Sequence, residues 1–290
     1  MTTLSESLIA KRNKLLDKFS GYGSCAVAFS GGVDSAVAAK AAELALGDSA
    51  VVVTGKSDAL AEGELEQARE LAELIGVRHV VVETNELADA NYVLNGPDRC
   101  YHCKSNLYDK LREVAADLGV TVLVNGANVD DLSDYRPGMF AAAENGVVSP
   151  LAECGFTKVE VRELAAQWNL PVAQKPATPC LSSRIAYGQE VSTDRLLMID
   201  RAERFLRGLG FGELRVRYHG DDLARIEVCT AEIDQLCESE IRKSILEEFG
   251  RLGFKYVTLD LAGFRSGNFQ QLVPVEELKR YVRGSEASVS

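Results

Sequence analysis

Ser30-Gly31-Gly32-Val33-Asp34-Ser35 places two hydroxyls, two glycines and a carboxylate within six residues. A glycine pair lets backbone N–H groups approach an anion with no Cβ in the way. Ser30 and Ser35 add hydroxyl donors, and Asp34 offers a carboxylate to Mg²⁺. Such a set suits a polyphosphate, because a departing pyrophosphate needs several N–H donors and a divalent cation but no covalent nucleophile. An ordinary glycine turn with a serine N-cap would use far less of it. Neither Gly-x-x-x-x-Gly-Lys-Ser/Thr nor Gly-x-Gly-x-x-Gly occurs, so the cradle is neither a Walker A loop nor a dinucleotide fingerprint.

A second set is built from cysteine. Cys100-Tyr-His-Cys103 is a C-x-x-C pair, and Cys180 lies in the proline-rich run Lys175-Pro-Ala-Thr-Pro-Cys-Leu-Ser-Ser-Arg184. The pair is compatible with a redox couple, half of a zinc site or part of an iron–sulfur site. The second C-x-x-C of a four-cysteine zinc ribbon is absent. Cys25, Cys154, Cys229 and Cys237 read as packing residues. A third set, Asn125-Gly-Ala-Asn-Val-Asp-Asp131 with Asp134 and Arg136, carries more polar groups than a plain turn needs.

The surrounding periodicity says what must hold these sets. Cys25–Phe29, Ala50–Thr54, His79–Glu83 and Thr121–Val124 read as short apolar strands. Helices are expected over 6–19, 36–44, 61–76, 84–95 and 104–119, with one more between Pro150 and Leu170 and a chain break at Asn95-Gly-Pro-Asp98. Apolar strands alternating with helices predict an α/β fold: a parallel sheet with helices on both faces. Such sheets bind ligands beyond the carboxyl ends of their strands, where the cradle and the 125–131 run both fall. After the prolines the rhythm changes to a smaller C-terminal α+β domain, with helices over 193–209 and 239–252 and strands at 214–218, 224–228 and 256–261. The expected division is 1–188, 189–283 and a frayed tail, 284–290.

Composition limits the partners. Lys plus Arg total 32 against 43 Asp plus Glu, a net charge of −11, which disfavours a large nucleic-acid surface. No apolar stretch approaches the roughly 18 residues of a membrane span, and the first residues lack the basic and apolar regions of a secretory signal, so a cytoplasmic location is expected. Seven cysteines, an odd number, argue against a disulfide scaffold.

The cradle resembles the PP-loop of the N-type ATP pyrophosphatases. Gly126-Ala-Asn-Val-Asp-Asp131, Asp134-Tyr-Arg-Pro-Gly138, Pro179-Cys-Leu-Ser-Ser-Arg184, Arg215-Val-Arg-Tyr-His219 and Tyr256-Val-Thr-Leu-Asp-Leu-Ala-Gly-Phe-Arg-Ser-Gly267 extend the likeness, in consistent order, to the LarE family over about residues 5–280. That resemblance implies an ATP-dependent sulfur transferase. It would adenylate a carboxylate of a pyridinium dicarboxylate mononucleotide and replace AMP with sulfur, on the way to a nickel-pincer nucleotide. One branch of the family spends a single cysteine, at the position of Pro179 here; this chain instead resembles the branch in which three cysteines hold a [4Fe-4S] cluster, here Cys100, Cys103 and Cys180.

The roles so implied are as follows. Ser30, Gly31, Gly32, Asp34 and Ser35 bind pyrophosphate and Mg²⁺ from ATP. Val53, Thr54 and Gly126 line the adenosine pocket. Ser183, Arg184, Arg215 and Arg217 take the substrate's phosphate, since guanidinium forks suit phosphate oxygens. Glu203 and Glu227 are weaker candidates for a divalent metal, and Lys104 and Asp134 would orient the acyl adenylate, with Cys180 acting on it. The expected partners are a small-molecule nucleotide, a sulfide donor, cofactor-building proteins and further copies of the chain, without nucleic acid or membrane. The competing readings are an ammonia-using synthetase or amidotransferase on the same loop, a tRNA-thiolating enzyme, and a non-enzymatic iron–sulfur or nickel carrier.

Overall fold

β-Branched and alanine-rich runs set the first half of the chain. In the computed structural model, which describes residues 4–132, 137–176 and 178–265, it begins with α1 (Glu6–Ser20), β1 (Cys25–Ala28), α2 (Val33–Leu46), β2 (Ala50–Lys56), α3 (Glu64–Ile75) and β3 (Arg78–Glu83). There follow α4 (Ala90–Val93), α5 (Arg99–Leu118), β4 (Val122–Val124), α6 (Val129–Leu132), α7 (Pro137–Glu144), α8 (Pro150–Glu153) and α9 (Lys158–Gln167). The strands form a parallel sheet in the order β3-β2-β1-β4, and Val148 bridges Val124 beyond β4.

The alternation of side chains feeds two cores. Cys25, Val27, Ala50 and Val52 face α1, α2, α3 and α9 through Leu15, Phe19, Val37, Leu71 and Leu164. Ala26, Val51 and Val53 face the opposite layer, packing with Tyr108 and Leu111 of α5 and Ala141 and Ala142 of α7. With both faces covered, the strands have no polar side, hence their unbroken apolar reading in sequence.

The second half comprises α10 (Thr193–Gly208), β5 (Leu214–His219), β6 (Leu223–Val228), α11 (Ile233–Leu236), α12 (Ser239–Leu252) and β7 (Tyr256–Leu259). Its sheet runs β5-β6-β7, antiparallel then parallel. Ile199, Leu206, Val216, Ile226 and Phe249 fill a separate core, which also takes in Ala59 and Tyr92 from the first half. The two cores divide between Ala173 and Leu181, within the proline-rich run. Ile185 then bridges Tyr218 of β5.

Two expectations need correction, and one helix was not expected. Residues 84–95 hold only a 3₁₀ turn at Glu86–Ala88 and the single turn of α4. α5 begins at Arg99, so Cys100 and Cys103 sit inside its first two turns rather than ahead of the helix. α7 had no clear signal, because its alanines and glycine lack a polar face. The expected tail, 284–290, lies outside the described residues.

Candidate active site

The strand order reverses between β1 and β4, since the chain moves outward through β2 and β3 and then returns to the other side of β1. In open α/β sheets the crevice at such a switch point is where ligands bind. Here it is bounded by Ser30–Ser35, after β1, and by Asn125–Asp131, after β4.

Gly31 takes φ +70°, a left-handed conformation that side chains disfavour, and packs against Ala68 of α3. Ser35 Oγ donates to the Gly32 carbonyl at 3.0 Å and accepts from Ser30 N–H at 3.3 Å, which folds the loop over the first turn of α2. Thr54 Oγ1 donates to the Phe29 carbonyl at 2.7 Å, and the Phe29 N–H donates to Val53 O at 2.8 Å. Val53 itself is wholly buried, so it and Thr54 anchor the approach to the loop from beneath. His79 Nε2 meets the same threonine hydroxyl at 2.8 Å. Burial, aided by Arg69, holds His79 below the usual imidazole range.

Gly126 passes very close to the start of α2. A Cβ there would lie 2.7 Å from Ser35 N and 2.8 Å from the Asp34 carbonyl carbon. The neighbouring Asn128 is 1% exposed and donates to Asp34 Oδ1 at 3.0 Å. The other oxygen of Asp34, Oδ2, is taken by the Lys158 ammonium. Asp130 Oδ2 accepts from the Lys158 N–H, and Asp131 Oδ2 from the Asn128 N–H. Asp34, expected to serve Mg²⁺, is therefore held between the segment after β4 and the first residue of α9. Asp134 lies outside the described residues.

The cysteines meet where the two halves join. Arg99, fully buried in the first turn of α5, donates to Asn95 Oδ1 at 2.7 Å and to the Ser182 carbonyl at 2.6 Å. Asn95 adopts φ +54° and is completely buried; its amide donates to the carbonyls of Ala186 and Gln189, both at 2.9 Å. Tyr92 Oη and Ser182 Oγ are 2.6 Å apart, and Leu181 N–H donates to Ala59 O. The Cys180 loop is thus pinned to the helix that carries Cys100 and Cys103.

Burial pushes the Cys103 thiol up to about 12; Lys104 opposes this, while Cys180, Glu86 and Cys100 add to it. Cys100 and Cys180 thus both lie within electrostatic reach of Cys103. Burial lowers the Lys104 ammonium, but Cys103 and its neighbours outweigh this and raise it. Cys100 and Cys180 are exposed. Among the described residues, no three His, Cys, Asp or Glu side chains converge on one point as a single ion requires. A cluster sets a different requirement, since each thiolate ligates a different iron. Three thiols flanked by the Arg99 and Lys104 cations fit that donor chemistry.

Arg184 is 1% exposed and all three of its nitrogens are engaged. Nε and Nη2 donate to Glu203 at 2.9 and 3.2 Å, while Nη1 donates to the carbonyls of Pro179 and Cys180 and to Ser183 Oγ. In this arrangement it shapes the cysteine loop. Arg217 donates to Ser183 O at 2.9 Å and to Glu227 at 3.0 Å, and Arg215 lies 4.9 Å over the Phe264 ring. Burial, reinforced by the charges of Arg184, Arg217 and Arg207, lowers Arg215 to about 10. Glu203 is also bound by Arg207 and Val216 N–H; burial would raise its carboxyl, but Arg184 holds it below the usual range. Glu227 is bound by both Arg217 and Arg225, so neither carboxylate is presented to a metal.

Tyr92, Asn95, Arg99 and Lys158 were not singled out from the sequence. In sequence Asn95 marks a chain break, and its left-handed backbone agrees, but its bonds reach about 90 residues away and leave no local trace. Lys158 carried one usable signal: a cation in the first turn of a helix, where the macrodipole disfavours it.

Cradle, switch point and small domain define a PP-loop ATP-using enzyme. The NAD synthase family model matches residues 12–192. The pyridinium-3,5-bisthiocarboxylic acid mononucleotide synthase of Lactiplantibacillus plantarum is 36% identical over 95% of this chain and 99% of its own length. An uncharacterized protein of Synechocystis sp. is 44% identical over 92% of this chain and 99% of its own length. A tRNA-specific 2-thiouridylase of Azorhizobium caulinodans is 31% identical over 52% of this chain and 48% of its own length. This chain belongs to the LarE family of ATP-dependent sulfur-transferring enzymes within the PP-loop superfamily. No helix among the described residues is long and apolar enough to cross a membrane.

Proposed function

We propose that this protein adenylates a carboxylate of a pyridinium dicarboxylate mononucleotide and converts it to a thiocarboxylate, for a nickel-pincer nucleotide cofactor. The observation that carries this reading is the coupling of two chemistries in one chain. The glycine–serine loop Ser30–Ser35 opens onto the switch point, and the cysteine-bearing helix and the Cys180 loop meet where Arg184 and Arg217 bind that loop, which supports the reading.

In the first step a substrate carboxylate oxygen attacks the α-phosphorus of ATP. The bond from that phosphorus to the bridging oxygen breaks, and pyrophosphate leaves. Ser30, Gly31, Gly32 and Ser35 receive its charge through N–H and O–H donors, and Asp34 would hold Mg²⁺ there. In the second step a sulfur nucleophile attacks the acyl carbon, the C–O bond to AMP breaks, and AMP leaves. Cys100, Cys103 and Cys180 would hold a [4Fe-4S] cluster, whose chemistry is to carry and deliver that sulfide. Lys104, beside the thiols, offsets their negative charge.

Arg215 and Arg217 supply the anion subsite for the mononucleotide's phosphate. Arg215, depressed by burial and by the nearby Arg184, Arg217 and Arg207, is a side chain whose charge an anion would favour. Arg184 serves as a positioning residue for the Cys180 loop, alongside Ser183.

The test is anaerobic purification followed by iron, acid-labile sulfide and visible absorption. About four irons and four sulfides per chain, lost in Cys100→Ala, are expected. An iron-free protein whose Cys180 loses the mass of hydrogen sulfide after turnover would instead make that cysteine a sacrificial donor.

A further inference from the structure

Lys158 is at odds with its own helix. It occupies the first position of α9, capped by Thr157, where Thr157 and Glu160 satisfy each other's backbone N–H groups. A cation there faces the positive end of the helix dipole, a placement that costs stability unless something compensates. The compensation is Asp34: the Lys158 ammonium binds Asp34 Oδ2 across 124 residues of sequence. Lys11, the other nearby lysine, is occupied by Glu160 and the Gly155 carbonyl. Asn128 holds the second oxygen of Asp34 at 3.0 Å.

Asp34 therefore has both oxygens engaged by protein donors, one of them a full positive charge. The carboxylate that a divalent cation would use is already neutralised internally. The partners differ in how easily they yield. Asn128 is 1% exposed and fixed by its own contacts to Asp130 and Asp131, whereas the Lys158 side chain is 33% exposed on a flexible stem.

We propose that Lys158 is a displaceable counter-ion that closes Asp34 to divalent metal until nucleotide arrives. The ammonium stands where the cation would act. The anionic polyphosphate, entering the cradle beside it, draws the ammonium away and frees Oδ2 for the metal brought with it. The polyphosphate's negative charge takes up the displaced ammonium and the extra positive charge of the divalent ion that replaces it on the carboxylate. Metal and ATP then load together, and the loop does not collect free cations. This rests on the reading of Ser30–Ser35 as a polyphosphate cradle.

The experiment is a Mn²⁺ titration of the nucleotide-free full-length protein, with free Mn²⁺ read by electron paramagnetic resonance and then repeated with ATP. Lys158→Met and Lys158→Gln should each bind Mn²⁺ at least tenfold more tightly than wild type without nucleotide. Asp34→Asn added to Lys158→Met should abolish the gain, and Lys158→Arg should behave as wild type. ATP should raise Mn²⁺ affinity by a larger factor in wild type than in Lys158→Met. Equal Mn²⁺ affinity in wild type and both neutral variants, with folding verified by circular dichroism, overturns the proposal. The underlying reading fails separately, if Asp34→Ala binds ATP and releases pyrophosphate as wild type does.

Discussion

The cradle and the cysteine junction solve the same problem, holding reactive groups in place, by opposite means. The cradle is local. Six consecutive residues, a left-handed glycine and one serine hydroxyl define it, with the sheet supplying a rigid base. The junction is assembled from side chains 80 to 95 positions apart, through Tyr92, Asn95 and Arg99 to the loop around Ser182. A site built from backbone can tolerate changes in distant side chains. A site built from buried polar networks fails when one member is lost, because the partner is left desolvated and unpaired.

The strongest effect should come from the local site. Asp34→Ala is expected to abolish pyrophosphate release, while the alkylation rates of Cys100 and Cys180 stay within twofold of wild type. Simultaneous loss of both would erase the distinction between the two regions.

The next effect concerns the junction's stability. Glu203→Gln leaves the buried Arg184 guanidinium without its counter-charge, at a cost of about 3–5 kcal/mol in chemical denaturation. Glu203 has a folded pKa below its unfolded value, so its contribution is present above the ordinary carboxylate range and is lost as pH falls through the folded value. The stability gap between wild type and Glu203→Gln should therefore be widest near neutral pH and close in strong acid. A gap that is constant with pH would mean that the pair contributes no net charge interaction.

A smaller effect sharpens the picture of the thiols. In metal-free protein at pH 8, Cys103 should react with iodoacetamide at least tenfold more slowly than Cys180, since its thiolate is suppressed and its sulfur half-buried. Equal rates would show that burial does not control this thiol.

These two regions also differed in how far they could be read from sequence. The strands, the cradle and the switch-point edge were legible because apolar runs and the Ser-Gly-Gly-x-Asp-Ser pattern are contiguous. α5 starts five residues before the sequence suggests, since Asn95-Gly-Pro-Asp98 masks a helix that opens on a buried arginine. Arg215 and Arg217 were visible as an alternating pair, yet β5 buries Leu214 through Tyr218 on both faces, so alternation there does not mean a solvated side. Arg207 lies one helical turn after Glu203 and Arg225 two residues before Glu227, but the pairings with Arg184 and Arg217 connect separate elements and leave no spacing to detect.

The most direct test of the central claim, two separable stations in one enzyme, is a single-turnover assay of Cys180→Ala with ATP and the pyridinium dicarboxylate mononucleotide. Pyrophosphate and thiocarboxylate would be followed in the same sample. Pyrophosphate release at close to the wild-type amount, with no thiocarboxylate formed, is the expected result. Loss of both products together, or retention of both, would contradict it.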